Sequence, residues 1–226
     1  MTTRAEESSG AGRAVEIPIG AVRLSGELTI PAQAVGVVLF AHGSGSSRHS
    51  PRNRFVARTL CDAKIGTLLF DLLSLEEEAV DAATGALRFD IGLLARRLEE
   101  ATRWLRRQPD ARDLPVGYFG ASTGGGAALV AAAALGDEVR AVVSRGGRPD
   151  LAGEALGAVR AATLLLVGGH DEPVIRMNQE AFAKLSCTKE LTIVPGATHL
   201  FDEPGTLEAV AQHAAAWFRR HLPQQA

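Results

Sequence analysis

Short apolar runs of β-forming residues alternate with helix-forming stretches along most of this chain of 226 residues. Such alternation is typical of a mostly parallel sheet with helices on both faces. Eight strands are predicted, at residues 15–19, 22–30, 35–41, 66–71, 115–120, 139–144, 162–168 and 190–195. Helices are predicted between them, at residues 51–63, 90–107, 123–135, 151–159, 175–185 and 205–221. The sequence therefore predicts an α/β fold in which the first two strands form an edge hairpin.

The chain length and the spacing of these elements predict one domain. A sheet of eight strands with covering helices fills residues 13–226, and residues 1–12 are expected to form a flexible tail. Residues 72–87, between the fourth strand and the next helix, are too few to form a separate lid domain. This segment is expected to overhang the strand ends and to form one wall of a pocket.

Residues Gly120 to Gly124 read Gly-Ala-Ser-Thr-Gly and lie between a predicted strand and a predicted helix. A G-x-S-x-G pattern in that context is typical of a nucleophile elbow, a tight turn from which the serine projects. The pattern is weak by itself, because small residues also form ordinary turns. Ser122 becomes a convincing nucleophile only if partner residues follow it in the expected order.

An acid and a histidine do follow Ser122 in the order that elbow hydrolases use. Asp171 and His199 each come shortly after a further predicted strand. Because the carboxyl ends of parallel strands share one edge of the sheet, these side chains are expected to meet there. His199 would accept the proton of Ser122, and Asp171 would orient the imidazole. Asp150, which follows the sixth strand, stays open as an alternative acid.

A serine hydrolase also needs backbone N–H donors for the oxyanion that forms during attack. One donor is expected from Thr123, the residue after the nucleophile. The second is expected from the loop after the third strand, which reads His42-Gly43-Ser44-Gly45, and Ser44 is the predicted donor. His42 is interpreted as a structural residue that braces this loop by hydrogen bonding.

These motifs together resemble those of the dienelactone hydrolase family within the α/β-hydrolase superfamily. The similarity spans residues 14 to 222 and includes Gly-Gly-His-Asp-Glu-Pro-Val at 168–174 and Pro-Gly-Ala-Thr-His at 195–199. The resemblance implies the α/β-hydrolase fold without a large lid domain, and a hydrolase that works through an acyl-enzyme. The namesake enzymes carry cysteine as the nucleophile, whereas this chain has Ser122. An ordinary carboxylic ester or lactone is therefore expected as the substrate, rather than dienelactone.

Several arginines follow strand ends near the predicted site: Arg48, Arg52, Arg54, Arg145 and Arg148. A guanidinium there could bind a carboxylate or phosphate of the substrate through two parallel hydrogen bonds. Arg145 is the preferred candidate for substrate binding, because the two glycines that follow it leave room for a ligand. The alternative is that each arginine pairs with a nearby carboxylate or is solvated at the rim. Asp71 is assigned equally to a strand-end cap and to the pocket wall.

Charge and composition argue against other classes of protein. The net charge of −2 gives no general attraction to nucleic acid or to an anionic membrane. Cys61 and Cys187 show no metal-ligand spacing, so no metal is expected. Gly124–Gly126 does not form the G-x-G-x-x-G of a dinucleotide site, so no cofactor is expected. The first residues contain no apolar stretch of the kind found in a secretory signal, and the protein is expected in the cytoplasm.

The expected partner is a small-molecule ester or lactone, with no nucleic acid and no membrane, and a homodimer is left open. Acyl transfer or peptide cleavage by the same triad is an alternative that the sequence does not separate from ester hydrolysis. A non-catalytic ligand-binding or regulatory protein on the same fold is a third reading, because fold alone does not prove activity.

Overall fold

The computed structural model describes residues 12–223 of the chain. The tail expected at residues 1–12 therefore lies almost wholly outside the described residues. Eight strands form at the predicted places: β1 (Arg13–Ile19), β2 (Val22–Thr29), β3 (Val37–Ala41), β4 (Gly66–Phe70), β5 (Val116–Ala121), β6 (Val139–Arg145), β7 (Ala162–Gly168) and β8 (Lys189–Val194).

Within residues 12–223, six α-helices accompany the strands: α1 (Pro51–Asp62), α2 (Leu75–Thr84), α3 (Ile91–Leu105), α4 (Thr123–Leu135), α5 (Glu172–Lys184) and α6 (Thr206–His221). Shorter 3-10 stretches lie at Leu87–Phe89, Gly136–Glu138 and Pro149–Ala158. No helix within residues 12–223 is long and apolar enough to cross a membrane.

All eight strands belong to one sheet, in the order β1-β2-β4-β3-β5-β6-β7-β8. β1 pairs antiparallel with β2, and β2 pairs antiparallel with β4, whereas the remaining pairs are parallel. Ile19 pairs with Val22 across the first turn, which confirms the predicted edge hairpin. The carboxyl ends of β3, β5, β6 and β7 consequently lie along one edge of the sheet.

Both faces of the sheet are covered, as predicted. α3, α4 and α5 pack on one face, in a core that includes Leu98 and Ala128. α1 and α6 cover the other face, in a core that includes Val56 and Phe218. Every residue of β3, β5 and β7 is buried, which explains why these strands read as continuous apolar runs rather than as alternating patterns. The fold is the predicted α/β-hydrolase fold, and the described residues include no large lid domain.

The first difference from the sequence prediction is α2, which occupies most of the segment that had been assigned no helix. Ser74 accepts a hydrogen bond from the N–H of Glu77, and Glu77 accepts one from the N–H of Ser74, so the helix begins with a capping box. Gly85 ends it in the left-handed conformation, with φ at 67°. Leu75 and Val80 of this helix are exposed, so the sequence shows no apolar stripe there.

The second difference lies at the predicted helix 151–159, which is neither an α-helix nor continuous. The chain instead forms a 3-10 stretch at Pro149–Ala158 that is interrupted at Gly153, where φ is 53°. An α-helix cannot continue through a residue with positive φ, and glycine adopts this conformation without steric cost. The interruption keeps this stretch short and irregular beside α4 and α5.

Candidate active site

Ser122 lies in a sharp turn between β5 and α4. β5 ends at Ala121, α4 begins at Thr123, and Ser122 between them has φ of 50° and ψ of −121°. Positive φ is uncommon for a residue other than glycine, and such strain is often found at functional positions. The N–H of Ser122 donates to the carbonyl oxygen of Arg145 at 3.3 Å, which ties the turn to the end of β6.

Two glycines of the turn allow α4 to lie against the sheet. A Cβ built on Gly120 would lie 2.5 Å from the carbonyl oxygen of Gly124. A Cβ built on Gly124 would collide with the carbonyl oxygen of Ala41 in β3. Because both obstacles are backbone atoms, a larger residue at either position would have to displace a helix or a strand. The geometry of a nucleophile elbow therefore accounts for the glycines of the G-x-S-x-G motif.

The structure brings Asp171, and not Asp150, to His199. The Nδ1 atom of His199 lies 2.6 Å from Oδ2 of Asp171. Asp171 is the N-cap residue of α5, yet its side chain makes no capping hydrogen bond, so this carboxylate is directed to the imidazole. Asp150 instead accepts two hydrogen bonds from Arg148, at 2.9 and 2.8 Å.

Ser122 and His199 both lie near the end of β6, at Arg145 and Gly146. The residue before Gly146 accepts the N–H of Ser122, and a Cβ built on Gly146 would lie 3.6 Å from Cε1 of His199. Within the described part of the chain, the hydroxyl of Ser122 has no hydrogen bond to the imidazole. The acid and histidine therefore form a pair beside the elbow, and the complete Ser-His-Asp triad stays a prediction.

The loop after β3 is fixed by hydrogen bonds on both sides. Nδ1 of His42 lies 3.0 Å from the carbonyl oxygen of Gly43, and its Nε2 accepts the N–H of Leu72 at 3.1 Å. Burial lowers the pKa of His42, so a neutral imidazole fits this pattern. The N–H of Ser44 donates to Oγ1 of Thr123 at 3.0 Å. The two predicted oxyanion donors thus come from residues in direct contact, and their role in catalysis stays a prediction.

A cavity of about 490 Å³ opens beside Thr123. The loop after β3 forms one wall, to which Gly43 and Ser44 contribute. Leu72 and Glu78, from the segment that contains α2, also line the cavity. The prediction that this segment walls one side of a pocket is therefore confirmed, whereas its helix and its contribution of Glu78 were not foreseen. The capping box before α2 was the sequence signal that could have revealed them.

Arg145 is buried on the face of the sheet that α1 and α6 cover. Its guanidinium lies 5.9 Å from the centre of the Phe201 ring, and the residue is 8% exposed. Burial, and then repulsion by Arg52, lower the pKa of Arg145 to about 10. Arg145 does not line the 490 Å³ cavity. The substrate contact predicted for it stays a prediction, and the cavity gives it no support.

The other arginines that follow the strand ends are paired with carboxylates. Their ion pairs are Arg48 with Asp71, Arg52 with Asp202, Arg54 with Glu27 and Arg148 with Asp150. Asp71 also accepts the N–H of Arg48 at 2.7 Å, so it fixes the loop after β3 rather than facing the cavity. Within residues 12–223, no three His, Cys, Asp or Glu side chains are grouped so that they could hold a metal ion.

Comparison with known proteins gives consistent results. The model of a family described as "Dienelactone hydrolase family" matches residues 64–222. A crystal structure of a dienelactone hydrolase from Anabaena variabilis is 60% identical, with a TM-score of 0.93, over 95% of this chain and 99% of that one. A dienelactone hydrolase-like promiscuous phosphotriesterase, P91 from metagenomic libraries, is 21% identical with a TM-score of 0.74 over 93% of this chain and 98% of that one, and shares the fold.

A curated relative from Mycobacterium tuberculosis carries the name "Putative phosphoribosyl transferase Rv0571c". It is 60% identical over 208 residues, which are 92% of this chain and 46% of the relative. The chain thus spans about half the length of the curated relatives that it matches.

Proposed function

Because the chain belongs to the dienelactone hydrolase family, a family of hydrolases, we propose that it cleaves a carboxylic ester or lactone through an acyl-enzyme on Ser122. The observation that carries the proposal is the hydrogen bond of 2.6 Å between His199 and Asp171, beside a serine in a strained elbow. An acid that orients a histidine next to a partly buried turn serine is the arrangement that activates a hydroxyl as a nucleophile.

In the proposed first step, Oγ of Ser122 attacks the carbonyl carbon of the ester. The hydroxyl proton passes to Nε2 of His199, and the carbonyl oxygen becomes an oxyanion. Asp171, which accepts a hydrogen bond from Nδ1–H, stabilises the imidazolium that forms. When the tetrahedral intermediate collapses, the bond to the alcohol oxygen breaks and His199 protonates the leaving alcohol. Water, deprotonated by the same histidine, then releases the acid and restores the serine.

The oxyanion would be held by the N–H groups of Thr123 and Ser44. Thr123 is the first residue of α4, and the first N–H groups of a helix have no partner within it. The positive end of the helix dipole adds to their effect. The N–H of Ser44 currently donates to the Thr123 hydroxyl, so a substrate oxyanion would replace or share that acceptor. Before the substrate arrives, the Thr123 hydroxyl would hold the loop in place and keep the N–H of Ser44 oriented.

The same groups could pass an acyl group to an acceptor other than water, or cleave a peptide, but no feature of the cavity favours these reactions over ester hydrolysis. Phosphoribosyl transfer, which the name of the curated relatives states, is not proposed for this chain. The groups at its candidate site are a nucleophile, a base and an acid, which are suited to acyl transfer.

The proposal is tested by labelling the purified protein with a fluorophosphonate probe and identifying the modified peptide by mass spectrometry. We expect modification of Ser122 in the wild type, none in Ser122→Ala, and normal labelling in Ser46→Ala, which changes a serine of the cavity wall outside the proposed machinery. A folded wild-type protein that is not labelled would contradict the proposal and favour a non-catalytic binding protein.

A further inference from the structure

The proposed hydrolase needs space for one arm of its ester next to the oxyanion donors, and the 490 Å³ cavity lies there. Thr123 and Ser44 are among its lining residues. Leu72, Leu73 and Leu94 supply an apolar surface that would pack against aliphatic carbons. The substrate class inferred below rests on the proposed function.

Two of the charged side chains that line the cavity neutralise each other. The carboxylate of Asp81 accepts hydrogen bonds from Nε of Arg88 and from the N–H groups of Leu87 and Arg88, the last two at 2.7 and 3.0 Å. Nη2 of Arg88 donates to the carbonyl oxygen of Asp81 at 2.8 Å. Because this guanidinium is held by Asp81 through two of its nitrogens, it is a poor site for an acidic substrate group.

The charges next to the cavity are paired in the same way. Arg48 and Asp71 form an ion pair at the end of β4. Glu77 pairs with Arg97 of α3 and also accepts the N–H of Ser74. These pairs leave little net charge that a substrate could meet.

Glu78 is the exception. It lies in the first turns of α2 and lines the cavity, and within residues 12–223 its carboxylate makes no hydrogen bond and no ion pair. Burial, and then the nearby Asp71, raise the pKa of Glu78, whereas Arg48 acts in the opposite direction. His42, the neighbouring histidine in the lining, has both ring nitrogens in hydrogen bonds.

We infer that Glu78 determines the substrate class, and that the arm of the ester in this cavity carries an ammonium group or another hydrogen-bond donor rather than a carboxylate or phosphate. The unpaired carboxylate attracts a cation and repels an anion, and the apolar wall holds the carbons between that group and the scissile carbonyl. Glu78 is a specificity residue in this scheme and takes no part in bond breaking.

The test compares three p-nitrophenyl esters whose acyl arms have similar size. The arms are 4-(trimethylammonio)butanoyl, which is cationic, 5,5-dimethylhexanoyl, which is neutral, and glutaryl, which is anionic. We expect the wild-type kcat/KM to be roughly tenfold or more higher for the cationic than for the anionic ester, as an unpaired charge at a partly buried position allows. In Glu78→Gln this ratio should fall close to one, with the neutral ester little affected, and in Glu78→Lys it should reverse.

The matched control is Glu180→Gln, which removes the same charge from an exposed position of α5. It should leave the ratio as in the wild type. Thermal unfolding of each variant shows whether it is folded.

The pH dependence gives a second readout. The ratio of kcat/KM for the cationic and the neutral ester, whose acyl arms do not titrate, cancels changes that affect both substrates equally, such as titration of the catalytic groups. Because the pKa of Glu78 is raised, its negative charge is lost as the pH falls through that value, and the preference for the cationic ester should shrink there. In Glu78→Gln the ratio should stay flat. The groups that face Glu78 and could contribute are Asp71, Arg48, Asp81, Arg88 and His49.

The outcomes separate the two proposals. If the wild type hydrolyses the esters but Glu78→Gln leaves the ratio unchanged, the inference about Glu78 is overturned and the proposed function stands. If none of the esters is hydrolysed and Ser122 is not labelled, the proposed function fails and the substrate class fails with it.

Discussion

Replacement of Asp171 by asparagine separates the catalytic use of this carboxylate from its position in the fold. The carboxylate lies 2.6 Å from Nδ1 of His199, and it makes no capping hydrogen bond to α5. Asparagine has the same shape and is itself a good N-cap residue. Asp171→Asn should therefore fold, with a change in unfolding free energy of about 1 kcal/mol or less beyond the loss of the histidine contact.

The effect on catalysis should be far larger. The amide of asparagine would donate to Nδ1 of His199, so the proton of the neutral ring would move to Nε2, where a lone pair is needed to accept the proton of Ser122. In serine hydrolases with this arrangement, the same replacement lowers kcat by about 10⁴. Asp171 is 13% exposed and His199 is 39% exposed at the side chain. Water can therefore partly replace the hydrogen bond that orients the imidazole ring. We expect kcat to fall by a factor of about 10³ to 10⁴, which corresponds to roughly 4 to 5.5 kcal/mol in activation free energy.

The assay is kcat for p-nitrophenyl acetate, with thermal unfolding measured on the same preparations. The matched control is Asp150→Asn, because Asp150 is paired with Arg148. This variant should lose less than tenfold in kcat. The reasoning is refuted if Asp171→Asn keeps more than a tenth of the wild-type kcat, or if Asp150→Asn loses as much as Asp171→Asn.

Three further predictions, the first with a control substitution, concern the fold and the side chains around the site. Gly124→Ala should cost about 3 kcal/mol of stability or more, because its Cβ meets backbone, whereas Gly157→Ala, which meets no atom within 4 Å, should be nearly neutral in the same thermal unfolding experiment. Arg145→Met should lower kcat/KM by the same factor for neutral and anionic esters if the side chain supports the loop around Phe201; a selective loss for the anionic ester would instead favour a substrate contact. Tyr118→Phe should cost about 1 kcal/mol in urea unfolding, because the buried hydroxyl loses its 2.7 Å hydrogen bond to Thr102; no change would mean that this bond adds nothing net.

The strands and most helices follow from local sequence because their apolar patterns are what the sheet buries. β3 is apolar throughout, and β7 is apolar apart from Thr163, since both faces of each strand are covered. α2 was not predicted from the sequence because Leu75 and Val80 are exposed, at 75% and 57%, and form no buried apolar stripe. The helix is stabilised more by its caps than by burial. At Pro149–Ala158 the apolar spacing predicts a continuous helix, but the backbone conformation of Gly153 interrupts it.

The candidate catalytic residues could be identified from the sequence because their order along the chain and their positions after predicted strands both match those of elbow hydrolases. Asp171 and His199 follow adjacent parallel strands, so sheet topology alone brings their backbones close, and their side chains do meet. The sequence predicts Asp171 as the acid but leaves Asp150 open, because both residues follow strands. In the structure Arg148, only two residues away, pairs with Asp150, whereas Asp171 meets His199.

The same principle applies to the arginines around the site and to Glu78, whose position at the cavity gave no signal in the sequence. A charged side chain can recognise a ligand only if the fold leaves its charge unpaired, and pairing can join residues that are distant in sequence, as Arg52 and Asp202 show. In the sequence, Glu78 reads as one of three glutamates that favour the start of a helix. Its significance arises from its neighbours: Glu77 is taken by Arg97, while Glu78 faces a cavity beside the candidate nucleophile. Recognition by this site should therefore follow the one lining carboxylate without a partner among the described residues, rather than the more numerous arginines around it.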